Sequence, residues 1–288
     1  MRTYESDWRH FANWCVRHGL RTLPAAPSTV ALYCADLAEI TKASTITRRL
    51  ATIAKGHAVE GYESPCSLRH AAVAEVLAGI RRSKGTMAAS KSALMTEDLR
   101  HIIHALPKNS IGTRDGALLL LGFSGGFRRS ELAALAVEDL EDTTDGLKVL
   151  LRHSKTDQEG AGRTVGIPYG SHPQTCPVRQ YRAWLQVSGI TAGPLFRHVD
   201  RHGNIGDRAI TPQVVALVVK RACERVGLDP ARFGAHSLRS GLATQSARNG
   251  ASERSIMRQT GHRSFGMVRR YIHEGELFTD NAAAKLGL

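Results

Sequence analysis

The sequence predicts a mainly α-helical protein with a small β-hairpin, divided into two domains. The chain has 288 residues, and at about 100–200 residues per domain this length suggests two domains. Apolar residues recur at helical spacing along most of the chain, whereas strand-like alternation occurs only near residues 147–168. The hydrophobic fraction of 42% is sufficient for buried cores and argues against general disorder.

Residues 1–84 predict a bundle of four short helices. Ser28 and Ser44 are placed to cap the second and third helices. Residues 85–95 are small, polar and basic, and predict a linker. The first helix carries a face whose aromatic members we interpret as core rather than as ligand platforms: Trp8, Phe11, Trp14, Cys15 and His18.

Residues 96–288 predict a second domain of mixed α and β structure. Thr96 is placed to cap its first helix. The alternating residues 147–153 and 163–168 predict the two strands of a hairpin, with the polar stretch between them as the turn. Helices are expected over residues 113–123, 130–137, 177–187, 212–226, 237–248, 252–259 and 264–273.

The chain is strongly basic in both predicted domains. It has 39 Lys and Arg against 26 Asp and Glu, a net charge of +13. Residues 1–84 carry +5 of this charge, which leaves +8 for the rest of the chain. This distribution favours a polyanionic partner that contacts both domains. Charge alone leaves RNA, ribosomes and anionic membrane surfaces open as alternatives.

Composition also excludes several classes of protein. No apolar run approaches the roughly 18–20 residues that span a bilayer, and the N-terminal residues lack the apolar stretch of a signal peptide. The five cysteines are scattered and form no CxxC pair, which is typical of reduced thiols in a cytosolic protein. We therefore expect a cytoplasmic protein that is neither secreted nor embedded in a membrane.

Four short segments carry residues suited to chemistry. They are Gly125–Leu132 (GGFRRSEL), Ser154–Thr156 around Lys155, His236–Arg239 (HSLR), and Thr260–His262 (TGH) with Tyr271 nine residues later. Taken singly, each segment also fits a solvated turn, a helix surface or a packed side chain. The interpretation as a site depends on their order and spacing together.

Together these segments resemble the tyrosine recombinases, or phage-type integrases. That family carries Arg, a hairpin Lys, His-x-x-Arg, a late His or Trp, and Tyr in this order, and STITRRLATI near the N-terminus resembles part of its core-binding domain. Ser240 departs from the family, in which His or an aromatic residue often follows the second Arg. No arm-type DNA-binding domain is expected before the first helices. The residues that match the motif are Arg128, Lys155, His236, Arg239, His262 and Tyr271.

The resemblance implies a helical core-binding domain, an α+β catalytic domain and site-specific cutting and rejoining of DNA. Tyr271 would attack a phosphodiester and form a 3′-phosphotyrosyl link. Arg128 and Arg239 would offer donors to the phosphate oxygens. His236 and His262 would add hydrogen bonds, and His236 would also be placed to accept the tyrosine proton. Lys155 would donate a proton to the leaving 5′-oxygen.

The remaining expectations concern partners and supporting residues. We expect no metal and no cofactor, and Glu131 is a candidate to orient the basic residues. Double-stranded DNA is the expected partner, bound by a monomer that assembles into a homotetramer on paired sites, with accessory DNA-bending proteins as possible partners. The C-terminal tail with Leu277 and Phe278 would dock on a neighbouring protomer or pack on its own domain. The expected DNA contacts are Arg48, Arg49, Arg81, Arg82 and Lys84.

Three alternatives stay open at this level. A non-catalytic DNA-binding protein would share the charge, since residues 252–273 resemble a helix-turn-helix. A type IB topoisomerase would share the chemistry. Within the recombinase interpretation, integration or excision of a mobile element and resolution of joined DNA molecules use the same residues.

Overall fold

The computed structural model describes residues 2–84, 91–152, 162–262 and 264–276, together with residues 283 and 286. The chain divides into two compact units, residues 1–90 and 91–288. No helix in the described part of the chain is long and apolar enough to cross a membrane.

The predicted linker 85–95 falls partly outside the described residues. Residues 85–90 are not described, whereas the residues after them contact the second unit. The Ser92 N–H donates to the Arg232 carbonyl and the Leu94 N–H donates to the Ser237 carbonyl. Leu94 is fully buried. The predicted domain boundaries stay predictions.

The first unit is a bundle of four helices around one apolar core. They are α1 (Arg2–Arg17), α2 (Pro27–Ile40), α3 (Ala43–Val59) and α4 (Ala71–Lys84). Phe11 and Trp14 are buried in the core beside Tyr33, which confirms that these two aromatic residues pack internally. Trp8 is partly buried and lies against Gly56, where an added Cβ would approach the indole ring to 2.5 Å.

The predicted helix caps Ser28, Ser44 and Thr96 are wrong, because each of these residues already lies inside its helix. The residues that precede the helices are Ala26, Lys42 and Met95. Helix α2 begins at Pro27, whose fixed φ suits the first helical position. Helix α3 begins at Ala43, so Ser44 is already inside its first turn. The helix predicted at Thr96 has Met95 as its N-cap, because the Leu99 N–H bonds to the Met95 carbonyl.

The second unit surrounds a small antiparallel sheet with eight helices among the described residues. In chain order its elements are α5 (Thr96–Ala105), α6 (Ser110–Ser124), α7 (Arg129–Ala134), β1 (Leu140–Asp142), β2 (Gly146–Leu151), β3 (Arg163–Pro168), α8 (Pro177–Ser188), β4 (Arg197–Val199), β5 (Ile205–Ala209), α9 (Pro212–Arg225), α10 (Ala235–Arg248), α11 (Glu253–Thr260) and α12 (Phe265–Glu276). The mainly helical class with a small hairpin is confirmed.

The predicted hairpin is present as strands β2 and β3. They pair antiparallel, with Val149 opposite Val165 and Leu151 opposite Arg163. Alternate residues of both strands are buried, as expected for a sheet with one face on the core. Strand β1 adds to the free edge of β2, and β4 and β5 form a separate pair. The sequence analysis did not predict these three strands.

Helix α6 places the start of the functional segment inside the unit. Four consecutive leucines, Leu118–Leu121, are all buried, so the helix is enclosed on every side rather than amphipathic. Asn109 caps its beginning by accepting from the Gly112 N–H at 3.0 Å. The glycine-rich turn that follows α6 is therefore anchored in the main core of the unit.

Candidate active site

The turn between α6 and α7 delivers Arg128 to the site. Gly126 has φ of +58°, a conformation that favours glycine. A Cβ on Gly126 would lie 2.7 Å from Leu242 Cδ2, so the turn also leaves no room for a side chain at this position. Phe127 is 1% exposed and fixes the turn in the core. Arg128 then directly precedes α7 with its side chain about one-fifth exposed.

Glu131 holds Arg128 from the first turn of α7. Its carboxylate accepts from the Arg128 backbone N–H at 2.9 Å and from Arg128 Nη1 at 2.6 Å. The Glu131 side chain is 1% exposed. Burial alone would raise the pKa of Glu131, but these hydrogen bonds and the charges of Arg128 and Arg163 outweigh burial and lower it. A buried carboxylate therefore holds Arg128 in place, and its supporting role in catalysis stays a prediction.

Arg239 lies deep between the segments that form the site. It stands one helical turn after His236 on α10 and is 2% exposed. Its Nη1 donates to the carbonyls of Gly126 and Thr260. Its Nη2 is buried without a hydrogen-bond partner among the described residues. Burial, followed by the charge of Arg128, lowers the pKa of Arg239 to about 10, so the guanidinium stays charged at neutral pH and can bind an anion.

His236 and Tyr271 form a direct pair. The His236 Nε2 lies 2.7 Å from the Tyr271 hydroxyl oxygen, and Tyr271 on α12 is 5% exposed. Burial and then the charges of nearby arginines lower the pKa of His236 below its ordinary value of 6.5. At neutral pH His236 is therefore uncharged, and its Nε2 can accept the tyrosine proton. The arginines are Arg239, Arg270 and Arg128.

His262 follows the left-handed residue that ends α11. Gly261 has φ of +67° and caps the helix through its N–H to the Met257 carbonyl. The His262 Nδ1 lies 2.7 Å from the Thr260 hydroxyl oxygen, and its ring centre is 6.0 Å from that of Tyr271. Burial first, and then nearby positive charges, lowers the pKa of His262 to about 4.

The structure thus brings together five of the six predicted motif residues, on α10, α12 and the turns before α7 and α12. Lys155 lies in residues 153–161, outside the described residues. Leu277 and Phe278 of the predicted tail also lie outside them. Among the described residues, no three His, Cys, Asp or Glu side chains come together in a cluster suited to a metal ion.

Arg163 is a site residue that sequence analysis missed. From the start of β3 its Nη1 donates to the Gln259 carbonyl at 2.9 Å, and its Nη2 lies 3.8 Å from Glu131 Oε2. Its guanidinium packs against Gly261, where a Cβ would come within 2.8 Å of Nε. Burial lowers the pKa of Arg163. No sequence signal separates this arginine from an ordinary surface residue of a hairpin.

A basic cleft opens beside Arg128 and His236. Its volume is about 400 Å³. The cationic side chains that line it are Lys91, Arg128, Arg129 and Lys220. Such a concave basic surface suits a polyanion that runs past the site.

The predicted DNA contacts in the first unit fall into two groups. Arg81, Arg82 and Lys84 are exposed in the last turn of α4. Arg48 instead pairs with the buried Asp7. Arg49 is 15% exposed and lies 3.6 Å from Asp7, and it also donates to the Tyr33 hydroxyl at 3.3 Å. Arg49 is thus largely enclosed by the bundle, whereas the side chain of Arg48 is 44% exposed beside its ion pair. The DNA contacts of all five residues stay predictions.

Comparisons with known proteins connect this site to a family. Residues 92–276 match the sequence model of the phage integrase family. The chain is 38% identical over 288 residues to the integrase/recombinase XerD homolog of Selenomonas ruminantium, across 99% of this chain and 84% of that protein. It is 30% identical over 186 residues to the tyrosine recombinase XerD of Corynebacterium glutamicum, across 62% of this chain and 56% of that protein.

Solved structures share the fold. The Tn1549 transposon integrase in complex with transposon right end DNA superimposes with a TM-score of 0.62 at 16% identity, covering 92% of this chain and 86% of that one. The extent of the family match, together with the near full-length relative, shows that the chain belongs to the phage integrase family and is an enzyme of the tyrosine recombinase class.

Proposed function

We propose that this enzyme cuts and rejoins duplex DNA at specific sites through a covalent link between Tyr271 and a 3′-phosphate. The observation that carries the proposal is the 2.7 Å pair of His236 and Tyr271 beside the buried Arg239, whose Nη2 has no partner among the described residues. The pair supplies a nucleophile with a base, and the arginine supplies a donor for a phosphate oxygen.

In the proposed cleavage step the Tyr271 oxygen forms a bond to phosphorus and its proton passes to His236 Nε2. The bond between phosphorus and the 5′-oxygen breaks, and Lys155 supplies the proton that this oxygen needs. Arg128 and Arg239 stabilise the charge that gathers on the nonbridging oxygens. The phosphotyrosyl link conserves the energy of the phosphodiester, so the 5′-hydroxyl of a partner strand can reverse the step and complete an exchange.

Trapping on a nicked DNA substrate tests this proposal. Cleavage beside the nick releases a short 5′-hydroxyl fragment, so the covalent adduct accumulates and can be counted on a denaturing gel. Tyr271→Phe should abolish the adduct while DNA binding persists. Tyr181→Phe is the matched control, because Tyr181 is a buried tyrosine of α8 in the same unit and should leave the adduct unchanged. An undiminished adduct in Tyr271→Phe overturns the proposal.

The same substrates separate the rival functions. Relaxation of a supercoiled plasmid that lacks a specific site would favour a type IB topoisomerase activity. The proposed recombinase should instead exchange strands only between matched sites. Integration or excision of a mobile element and resolution of joined DNA molecules both fit this chemistry, and mapping the DNA bound by the protein in cells distinguishes these two tasks.

We further propose that the protein acts in the cytoplasm as a monomer that assembles into a tetramer on two paired sites. Exchange between two duplexes cleaves four strands, and each cleavage requires one Tyr271. The net charge of +13 opposes association of free protomers and favours association on DNA. Sedimentation of the free protein and of the protein on paired sites tests this, and a stable tetramer without DNA would contradict it.

A further inference from the structure

Thr260 lies where three parts of the site meet. It ends α11 and is fully buried. Its carbonyl accepts from Arg239 Nη1, and its methyl group is near the turn before Arg128, 3.2 Å from where a Cβ on Gly126 would lie. Its hydroxyl oxygen lies 2.7 Å from His262 Nδ1. The motif accounts for His262 and Arg239 but assigns nothing to this threonine.

The hydroxyl of Thr260 has only one proton to donate. The oxygen lies 2.7 Å from the Ile256 carbonyl and 3.5 Å from the Met257 carbonyl. A carbonyl can only accept, so the short contact with Ile256 requires the hydroxyl proton. Toward His262 the hydroxyl must therefore accept, and the hydrogen in that contact must come from Nδ1.

We propose that Thr260 is a positioning residue that holds the neutral His262 ring with its hydrogen on Nδ1 and presents Nε2 to the scissile phosphate. The proposal rests on the recombinase function proposed above. A neutral imidazole carries one ring hydrogen, so Nε2 is bare in the free enzyme. Fixing one nitrogen by hydrogen bonding determines what the other can do and how the ring is oriented.

The surroundings of His262 agree with a neutral ring in the free enzyme. The charged and titratable groups around it are Arg239, Arg128, His236 and Arg163, with Tyr271 opposite its ring. Three of these groups are cationic, so protonation of the ring is opposed until an anion enters. Binding of an anionic phosphate would raise the proton affinity of the ring, so that Nε2 takes up a proton from solvent while Nδ1 stays bonded to Thr260. The resulting imidazolium would then donate from Nε2 to a phosphate oxygen.

Three variants test the role of the hydroxyl. Thr260→Val removes the hydroxyl and keeps the shape, whereas Thr260→Ser keeps the hydroxyl. Thr244→Val is the matched control, because Thr244 is also buried in this unit and its Oγ1 has no hydrogen-bond partner among the described residues. Single-turnover adduct formation should fall about 10- to 100-fold in Thr260→Val, the range seen when the group that orients a functional imidazole is lost. Thr260→Ser and Thr244→Val should stay near wild type.

A second readout reports the ring hydrogen itself. In protein labelled with ¹⁵N-histidine, long-range ¹H–¹⁵N correlation distinguishes a protonated from a bare ring nitrogen, and the signals of His262 are those missing in His262→Gln. The wild type and Thr260→Ser should show hydrogen on Nδ1. Thr260→Val should show hydrogen on Nε2 or a mixture of both forms.

A wild-type ring with its hydrogen on Nε2 overturns the proposal, even if Thr260→Val fails to fold. An unchanged adduct rate in folded Thr260→Val also overturns it. Failure of the recombinase function is separate, because it would appear as adduct formation by Tyr271→Phe, whereas the ring signals of His262 do not depend on catalysis.

Discussion

At the scale of single residues, the site is a cluster of positive charge held by one carboxylate. Arg128, Arg163 and Arg239 gather around Glu131 in the described part of the chain. One anion cannot neutralise three cations, so the site is electrostatically suited to a phosphate diester. Burial, followed by the charges of Arg239, Arg270 and Arg128, lowers the pKa of the neighbouring His236, which keeps it available as a base.

Cleavage should depend on pH through His236, with a rate that falls as pH drops through the pKa of this residue, below 6.5. Arg270→Gln removes one exposed positive charge that lowers this pKa, so the midpoint should move to higher pH. Arg269→Gln is the control, because Arg269 pairs with Glu253 instead. The measurement is single-turnover adduct formation at saturating protein. Equal midpoints in both variants would exclude His236 as the titrating base.

Glu131→Gln should destabilise the second unit by about 3 kcal/mol, because it leaves the partly buried Arg128 and Arg163 without their counter-ion. Glu138→Gln should have little effect, since its carboxylate is exposed to solvent and a Gln can still accept from the Gly193 N–H. Urea denaturation measures both. The pKa of Glu131 is lowered in the folded protein, so its contribution is complete above the ordinary value of 4.5 and is lost as pH falls further. A constant difference down to pH 3 would contradict this.

At the scale of elements, the spacing of apolar residues predicted those helices and strands whose formation depends on local sequence. The alternation of Leu147, Val149 and Leu151 gave strand β2, and the helical spacing gave each of the catalytic helices. Strands β4 and β5 were missed because both are short and most of their residues are exposed. Their sequences therefore lack the apolar alternation that predicts a strand and look like a loop. Tertiary contact, rather than β-propensity, makes them strands.

The catalytic motif and the supporting Glu131 were predictable from the sequence, whereas the roles of Arg163 and Gln259 were not. Glu131, Arg163 and Gln259 are separated by up to 128 residues in the sequence, and only the fold brings them together. The missed caps have a different origin, because each of these helices begins one residue or more before the position that a cap at its Ser or Thr would require.

Gly261→Ala should damage the element that carries His262. The residue has φ of +67° and its Cβ would lie 2.8 Å from Arg163 Nε. Gly189→Ala is the matched control, because it also caps a helix at φ of +65° but has open space around its Cβ position. Both should lose about 1–2 kcal/mol from backbone strain. Only Gly261→Ala should also lose adduct formation, and equal activity in the two variants would show that packing against Arg163 is unimportant.

At the scale of the whole molecule, each unit has a core and a positive charge of its own. The first unit packs around Phe11 and Tyr33, and the second around α6. In the second unit, Lys91, Arg129 and Lys220 line the cleft beside Arg128. The first unit has exposed basic residues at the end of α4. Its Arg48 and Arg49 form ion pairs with the buried Asp7.

Replacing Arg81, Arg82 and Lys84 together by Gln should weaken DNA binding and make it less dependent on salt. Each lost phosphate contact removes about 0.9 from the slope of log K against log salt, so three contacts remove about 2.7.

Arg48→Gln with Arg49→Gln is the contrasting pair. It should lower the stability of the first unit by removing the partners of Asp7, and at temperatures where the unit stays folded it should leave the slope unchanged. Fluorescence anisotropy from about 50 to 200 mM salt, a range over which phosphate contacts change affinity strongly, measures both slopes. A slope that changes only in the Arg48 and Arg49 variant would place the DNA on α3 and contradict the assignment to α4.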